Sequence, residues 1–217
     1  MKIIKNTLLV YTILLFGMFL SNCNKNNTVN DLQKTEALKN VTIIYDSTAY
    51  ELVLPSGALS GKSFGELKKE DSATYTNPEN YSITFLVNLT ADNKKTNSED
   101  AKFDGMTLNI VMDTIKSTPI KATTGPFEVK KNTTLPVQVE STINLKTHRL
   151  AGLYIFRQIV DGNDLATIQT PILNYKIGTL QGDIILHSVQ ENIPTRASDE
   201  TKTFLKGMLD SGVFEVQ

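Results

Sequence analysis

The sequence predicts a mainly β protein, folded as an antiparallel β-sandwich with one or two short helices, at about 147–160 and 198–210. In several segments apolar and polar residues alternate with a period of two, which indicates sheets with one buried and one solvated face. Short segments rich in turn-forming residues separate these runs, as they do in sandwiches. Hydrophobic residues make up 40% of the chain, which is enough for one packed core.

The clearest strand pattern lies at residues 82–90. Its apolar positions fall on one face and its polar positions on the other; the apolar set is Ile83, Phe85, Val87 and Leu89. Before it, residues 41–45 and 50–54 also alternate. Asp46-Ser47-Thr48 stands between these two runs, and we predict that it turns a hairpin.

Two segments between strands are rich in polar residues and glycine. Residues 55–72 are predicted to form a loop with at most one helical turn, and residues 92–103 a polar loop. The same alternation predicts further strands at 106–112, around Ile120, and at 127–130, 135–143, 173–177 and 180–186.

Residues 147–160 fit two interpretations. The run 153–160, followed by Asp161-Gly162-Asn163, has the composition of a strand and a hairpin turn. An apolar stripe at helical spacing, with Thr147 to cap the start and Gly162 to end it, favours a helix. We predict the helix.

A second helix is predicted at 198–210. Ser198 is suited to cap its start, Asp199 and Glu200 occupy its first turn, and Gly212 follows as a stop. Its apolar stripe is predicted to dock on the sandwich, the alternative being a surface for a partner or a membrane. Residues 213–216 are then an extended tail.

The N-terminus has the pattern of an export signal. Lys2 and Lys5 precede an uncharged apolar run from Thr7 to Leu20. That run is shorter than the about 20 apolar residues that span a bilayer, whereas a short apolar core after a positive segment is typical of signal peptides. The only cysteine of the chain, Cys23, stands where the run stops.

The segment Leu20-Ser21-Asn22-Cys23 resembles a bacterial lipobox. The resemblance implies that the Cys23 sulfur receives a diacylglyceryl group and that residues 1–22 are removed as a lipoprotein signal peptide. Because the following Asn24 is not Asp, it implies the outer membrane of a Gram-negative envelope. Several acyl chains hold a protein on a membrane far better than one. The alternative is an ordinary signal or uncleaved anchor with an incidental Cys23.

The remaining chain is predicted to be a flexible tether at 23–37 and a single sandwich domain at 38–217. Removal of residues 1–22 takes away two of the 22 basic residues and none of the 23 acidic ones, so the net charge becomes −3. Such a balance argues against a nucleic-acid partner, which needs a clustered basic surface. With Cys23 lipidated, no thiol remains for a disulfide or a metal.

The sequence carries no recognisable catalytic motif. His148 and His187 are widely separated and are predicted to be ordinary surface residues, since a zinc site needs three or four ligands. Asp161-Gly162-Asn163-Asp164 lacks the glycine and glutamate of a calcium loop and is predicted to be a turn. We therefore predict no catalytic residue, no metal, no cofactor and no enzymatic activity.

Two further patterns have a weaker basis. Tyr75 and Tyr81 flank residues 76–80, and we predict burial at strand ends rather than an exposed sugar-binding platform. Three short segments resemble the Asp-Ser/Thr-aliphatic acceptor of O-glycosylation; they are Asp46-Ser47-Thr48, Asp71-Ser72-Ala73 and Asp113-Thr114-Ile115.

From about 82 to 195 the order of features is similar to the late embryogenesis abundant type 2 (WHy domain) family. The similarity rests on the segment Pro126–Val139, a following helix, strands around a glycine at 175–184, and Ile193-Pro194. The resemblance implies an immunoglobulin-like sandwich and a stress-protective or accessory role, with no catalytic residue to transfer.

These observations predict a lipid-anchored envelope protein that acts as a non-catalytic binding, structural or stress-protective module. Its expected partners are the membrane, through the lipid on Cys23, and an envelope protein. The alternatives are an adhesin or fimbrial-type subunit, which would donate a terminal strand such as 213–216 or offer an unpaired edge, and a carbohydrate-binding accessory lipoprotein.

Overall fold

The computed structural model describes residues 34, 37–94, 99–112, 120–177, 180–185 and 190–214. Within these ranges the chain forms ten strands: β1 (Thr42–Val53), β2 (Ser82–Asp92), β3 (Ala101–Phe103), β4 (Gly105–Val111), β5 (Ile120–Thr123), β6 (Phe127–Val129), β7 (Thr134–Asn144), β8 (Ala166–Ile177), β9 (Leu180–Ile185) and β10 (Gln190–Ile193). The α-helices whose bounds are described are α1 (Phe64–Glu70), α2 (Ser72–Tyr75), α3 (Arg149–Asp161) and α4 (Asp199–Asp210), and a 3-10 turn covers Pro78–Asn80. Lys34 and residues 37–39, before β1, are helical as well.

The strands make three antiparallel sheets. The first has the order β1-β2-β7, and the second has the order β10-β8-β4-β5 with β9 also paired to β8. The third is the pair β3-β6. The predicted mainly β, sandwich-type fold is confirmed.

The alternation of β2 explains its central place in the first sheet. Ile83, Phe85, Val87 and Leu89 are all buried, as the sequence predicts. They join the buried side chains of β4, β7 and the helices in one continuous core. A strand with a fully apolar inner face stabilises the sheet by removing that face from water, at about 25 cal/mol per Å² of apolar surface.

The predicted hairpin at residues 41–54 is wrong, because β1 runs unbroken from Thr42 to Val53. Its pairing with β2 shifts register between Tyr45 and Ser47, so Asp46 lies in a bulge and not in a turn. The Asp46 carboxylate accepts a hydrogen bond from Thr90 Oγ1 at 2.7 Å. This hydrogen bond to β2 stabilises the extended chain at the bulge, so no turn forms there.

The predicted loop at 55–72 is wrong as well, because it contains α1 and the start of α2. Ser63 and Glu66 form a capping box, in which each side chain bonds the backbone of the other. Asp71 ends α1 and caps α2, where its side chain accepts from the Thr74 N–H at 3.1 Å. Burial of Phe64 and Leu67 then holds a seven-residue helix that its composition alone would not predict.

The predicted loop at 92–103 ends in a strand that the sequence analysis missed. β3 pairs with β6, and the rings of Phe103 and Phe127 lie 5.0 Å apart. The segment is only three residues long, too short to show alternation, so its pairing depends on this tertiary contact. The four-residue strand β10 was also missed, because it is too short to show alternation. β8 begins seven residues before the predicted start at 173.

Residues 149–161 form the predicted helix α3. Gly162 ends it in the left-handed conformation, with φ of 75°. The predicted cap at Thr147 is wrong: His148 holds the N-cap position without a side-chain hydrogen bond to the helix. Thr147 Oγ1 lies instead 2.9 Å from His148 Nδ1.

The C-terminal helix α4 is also confirmed, with Ser198 Oγ accepting from the Thr201 N–H at 3.2 Å. The predicted extended tail is wrong at its start, because Val213 and Phe214 form a turn and Phe214 is only 5% exposed. Residues 215–217 lie outside the described residues, as does nearly all of the predicted tether. Ala37, assigned to that tether, is buried.

The first sheet has two distinct ends. Thr42 of β1 pairs with Asp92 at one end, and Val53 pairs with Ser82 at the other. Ser82 also pairs with Asn144, just before α3. The helices α1 to α4 therefore gather at the end opposite to the start of β1, and we call this the helical end. No helix in the described part of the chain is long and apolar enough to cross a membrane.

Candidate functional site at the helical end

The helical end is built around Tyr81, directly before β2. Its ring centroid lies 5.0 Å from that of Phe214, 6.4 Å from that of Phe156 and 6.5 Å from that of Phe204. Its hydroxyl donates to the Tyr75 carbonyl at 2.8 Å. Burial raises the pKa of Tyr81 well above its ordinary value, so the phenol stays neutral and acts as a hydrogen-bond donor. One side chain thus joins the sheet to both long helices and to the C-terminal turn.

A second aromatic group ties α1 and α2 to α4. Phe64 lies 5.7 Å from Phe204 and 6.5 Å from Tyr75, both in edge-on contact. The Tyr75 hydroxyl donates to the Ser56 carbonyl at 2.8 Å. Tyr75 and Tyr81 are both buried, as predicted, so neither offers an exposed face to a sugar.

An apolar groove runs between α3 and α4 and encloses about 270 Å³. Its lining consists of Leu150, Leu153, Tyr154, Arg157, Met208, Leu209 and Phe214. Leu150 is 73% exposed, the largest value among the exposed large hydrophobic residues of the described chain. We call this the α3–α4 groove; its mainly apolar lining suits an apolar side chain.

A wider cleft of about 650 Å³ lies beside α1 and α4, and several charged side chains line it. Its charges pair with one another: Lys62 contacts Glu70 at 2.7 Å, and Lys206 contacts Asp210 at 2.8 Å. The Gly61 N–H donates to the Glu200 carboxylate at 3.2 Å. Solvated pairs of this kind contribute little to stability. Glu66 and Glu200 are not part of these ion pairs, so the cleft carries a small excess of negative charge.

The pKa shifts of the charged groups in this cleft come from local hydrogen bonds at the surface. The side chain and backbone N–H of Ser63 hold the pKa of Glu66 below its ordinary value. The hydrogen bond to Glu70 raises the pKa of Lys62. Because both groups lie at the surface and serve a cap and an ion pair, they do not have the pattern of an acid and base tuned for catalysis.

A third depression lies beside β1 and encloses about 290 Å³. One wall is the strand itself, with Thr48, Tyr50 and Leu52, and the other is the segment 194–198 that precedes α4. The Arg196 N–H donates to the Tyr50 hydroxyl at 2.7 Å and joins the two walls. We call this depression the β1 groove.

The structure does not bring the sequence-predicted candidates together. His148 is exposed at the start of α3; Asp161 is the last residue of that helix, and the turn at Gly162 leads to Asn163 and Asp164. Cys23, His187 and Asp113 lie outside the described residues. Within the described ranges, no group of three His, Cys, Asp or Glu side chains is placed to hold a metal ion.

The sequence analysis missed the grooves, because each forms between segments distant in the chain. One signal was present: Leu150 lies off the stripe of α3 that is buried as Gly152, Ile155, Phe156 and Ile159. An apolar residue on the polar side of an amphipathic helix indicates a surface that contacts something else.

No protein-family model matches the chain, and no match was found among curated proteins. Among solved structures, the chain is similar to one described as the crystal structure of a protein from Archaeoglobus fulgidus, with 12% sequence identity and a TM-score of 0.38. The match covers 71% of this chain and 99% of the other. At this TM-score neither fold nor function can be transferred between the two proteins.

Proposed function

We propose that this protein is a lipid-anchored protein of the Gram-negative outer membrane, held through Cys23, and that its sandwich is a non-catalytic module that binds or supports an envelope partner. The observation that carries the proposal is the sequence Leu20-Ser21-Asn22-Cys23, which follows an uncharged apolar run and contains the only thiol. A lipid at this position anchors the protein without a membrane-spanning helix.

The geometry of the first sheet supports a binding role. The chain enters the sheet at Thr42, and the helices gather where β1 ends at Val53. Twelve strand residues at about 3.3 Å each separate the two ends by roughly 40 Å. In a protein anchored through Cys23, the α3–α4 groove then lies at the end away from the point where the tether joins, where a partner can reach it.

The stress-protective role rests on the resemblance to the late embryogenesis abundant type 2 family. The order of elements along the chain supports that resemblance: β6, a turn at Asn132, β7, α3, and then the antiparallel pair of β8 and β9. Asn132 takes a positive φ of 59°, which suits the tight turn between β6 and β7. We propose this role as one form of the structural function.

The alternatives find less support. A fimbrial subunit that donates residues 213–216 would have to extract Phe214 from its contact with Tyr81. A carbohydrate-binding lipoprotein would need exposed aromatic faces, whereas Tyr75 and Tyr81 are buried. The edge strand β1, which pairs with β2 alone among the described strands, is compatible with an adhesin-type assembly.

The anchor is tested by expressing the full chain and its Cys23→Ala variant in a Gram-negative host that is fed an alkyne analogue of palmitate. We expect label, a mass increase of the mature protein and partition into detergent for the parent chain only. An Asn24→Ala variant is the matched control and should behave as the parent chain does. Equal labelling and partition of parent and Cys23→Ala would overturn the proposal.

A further inference from the structure

The side of α3 that faces away from the core has an unusual composition for a surface helix. At about 100° per residue, this side groups four residues that also line the α3–α4 groove: Leu150, Leu153, Tyr154 and Arg157. A surface helix normally carries polar and charged residues there, whereas three of these four residues are apolar or aromatic. Leu150, at 73% exposed, is the most exposed of them.

The charges at this surface are basic and unpaired. Among the described residues that line the groove, Arg157 is the only charged one, and Arg149 is exposed next to Leu150. Neither arginine takes part in an ion pair of the described chain, not even with Asp161, one turn beyond Arg157. The groove therefore carries positive charge, although the chain as a whole has a net charge of −1.

This combination of charge and shape argues against several occupants. A second copy that presented the same face would bring like charges together. Binding to an anionic lipid surface usually needs clusters of about four to eight basic residues, whereas α3 offers two arginines beside a concave groove. The volume of about 270 Å³ also lies below the range of about 300–1,000 Å³ that is typical of small-molecule sites.

We propose that the occupant is an amphipathic helix of an envelope partner, which lays an apolar stripe into the α3–α4 groove and places carboxylates against Arg149 and Arg157. The inference rests on the proposed function, since it takes the sandwich to be a binding module, and it names the chemistry of the partner. The apolar lining and the unpaired arginines together define that chemistry.

A helix fits this surface better than an extended peptide does. Within α3 and α4 the backbone groups bond to each other along the helix, so the walls of the groove offer side chains and no free row of N–H and C=O groups for strand addition. A docked helix presents apolar side chains at i, i+3, i+4 and i+7, which is the spacing of Leu150, Leu153, Tyr154 and Arg157 on α3.

The spacing of the two arginines sets the expected spacing of the carboxylates. α3 has 13 residues and is about 20 Å long, which is enough to contact three turns of a partner helix. Arg149 and Arg157 are eight positions apart, or about 12 Å along the helix axis. We therefore expect the partner to carry two acidic residues seven or eight positions apart at the margin of its apolar stripe.

The first test selects binders from a displayed library of helical peptides, each about 18 residues long so that it can form a helix alone. One face of the peptides is randomised, and the bait is the full chain purified in detergent. We expect the bound pool to be enriched in bulky apolar residues along one stripe and in Asp or Glu at its margin. A pool without binders, or one enriched in Lys and Arg, would overturn the proposal.

The second test measures the affinity of a selected peptide for variants of the full chain by fluorescence anisotropy. Leu150→Ala should weaken binding roughly fivefold or more, and Arg149→Glu combined with Arg157→Glu should weaken it at least about tenfold. The double variant should bind well again when the acidic residues of the peptide are changed to Lys. Leu59→Ala, also at an exposed leucine, and Arg196→Glu, in the segment before α4, are the matched controls and should bind as the parent chain does.

Equal affinity of the parent chain and the double variant would refute the role of the arginines, and equal losses in the groove variants and the controls would refute the groove as the site. Weaker attachment of the double variant to vesicles that contain phosphatidylglycerol, without binding of any peptide, would indicate a lipid surface instead. Self-association that Leu150→Ala abolishes, again without peptide binding, would indicate a second copy.

The outcomes for the groove and for the anchor can be distinguished. A chain that is not labelled at Cys23 but binds acidic amphipathic peptides would disprove the anchor and support the groove. A chain that is labelled at Cys23 but selects no such peptide would disprove the groove and leave the anchor in place.

Discussion

Removal of the Phe214 ring tests whether the C-terminal turn belongs to the core of the helical end. Phe214 is 5% exposed and packs against Tyr81 with ring centroids 5.0 Å apart. A Phe→Ala change at a buried site costs about 3–5 kcal/mol, and the lower value suits a position in a turn, where neighbours can relax. We expect Phe214→Ala to lower the free energy of unfolding by about 3 kcal/mol.

The matched control is Leu150→Ala, in the same α3–α4 groove. Leu150 is 73% exposed, so its loss should change the free energy of unfolding by less than about 0.5 kcal/mol. The chain has no tryptophan and seven tyrosines, so urea unfolding can be followed by tyrosine fluorescence and by circular dichroism. A Phe214→Ala variant as stable as Leu150→Ala would refute the assignment of this turn to the core and would revive the donated-tail hypothesis.

Three further predictions address other parts of the fold. Gly152→Ala should lower the free energy of unfolding, measured in urea, by about 1–2 kcal/mol, because the added Cβ would lie 2.4 Å from Cδ2 of the buried Leu145. This loss should exceed the gain from the higher helix propensity of alanine. A variant of equal or greater stability would contradict this packing. Ser63→Ala removes half of the capping box of α1 and should cost about 1 kcal/mol, whereas Ser60→Ala, in the preceding turn, should be neutral. Hydrogen bonds or ion pairs hold the pKa values of four carboxyls below their ordinary range; these are Glu66, Asp71, Asp100 and Glu128. Their ionised forms therefore stabilise the folded state at neutral pH, and this stabilisation is lost as the pH falls below about 4.5. The urea midpoint should decline in that range, and a midpoint that stays constant from pH 7 to 3 would contradict the prediction.

The sequence predicts the long elements correctly, because their buried residues recur at a regular spacing over many positions. β2 and β7 are eleven residues long each, and their alternation is read without ambiguity because every second side chain enters the core. The helix α4 is equally clear, since Ser198 caps it and Phe204, Leu205 and Met208 form its buried face. In such segments local pattern and tertiary packing agree.

The errors occur where a residue has a local preference that a distant contact overrides. Asp46 and Ser47 favour a turn, but hydrogen bonds to Thr90 and Asn88 on β2 keep them within a bulged strand. α1 is short, and its stability comes from packing of Phe64 against Phe204, about 140 positions further along the chain. Neither contact can be deduced from the neighbouring residues alone.

The candidate binding surfaces follow the same rule, because each one is made by segments that are distant in sequence. The α3–α4 groove needs the turn at Phe214 to close its floor, and the β1 groove needs the segment around Arg196 to form its second wall. The bulge that the sequence analysis took for a hairpin turn has a direct consequence for the edge. It interrupts the first half of β1 at Asp46 and leaves residues 47–53 as a regular stretch, which pairs with β2 alone among the strands that the structure describes.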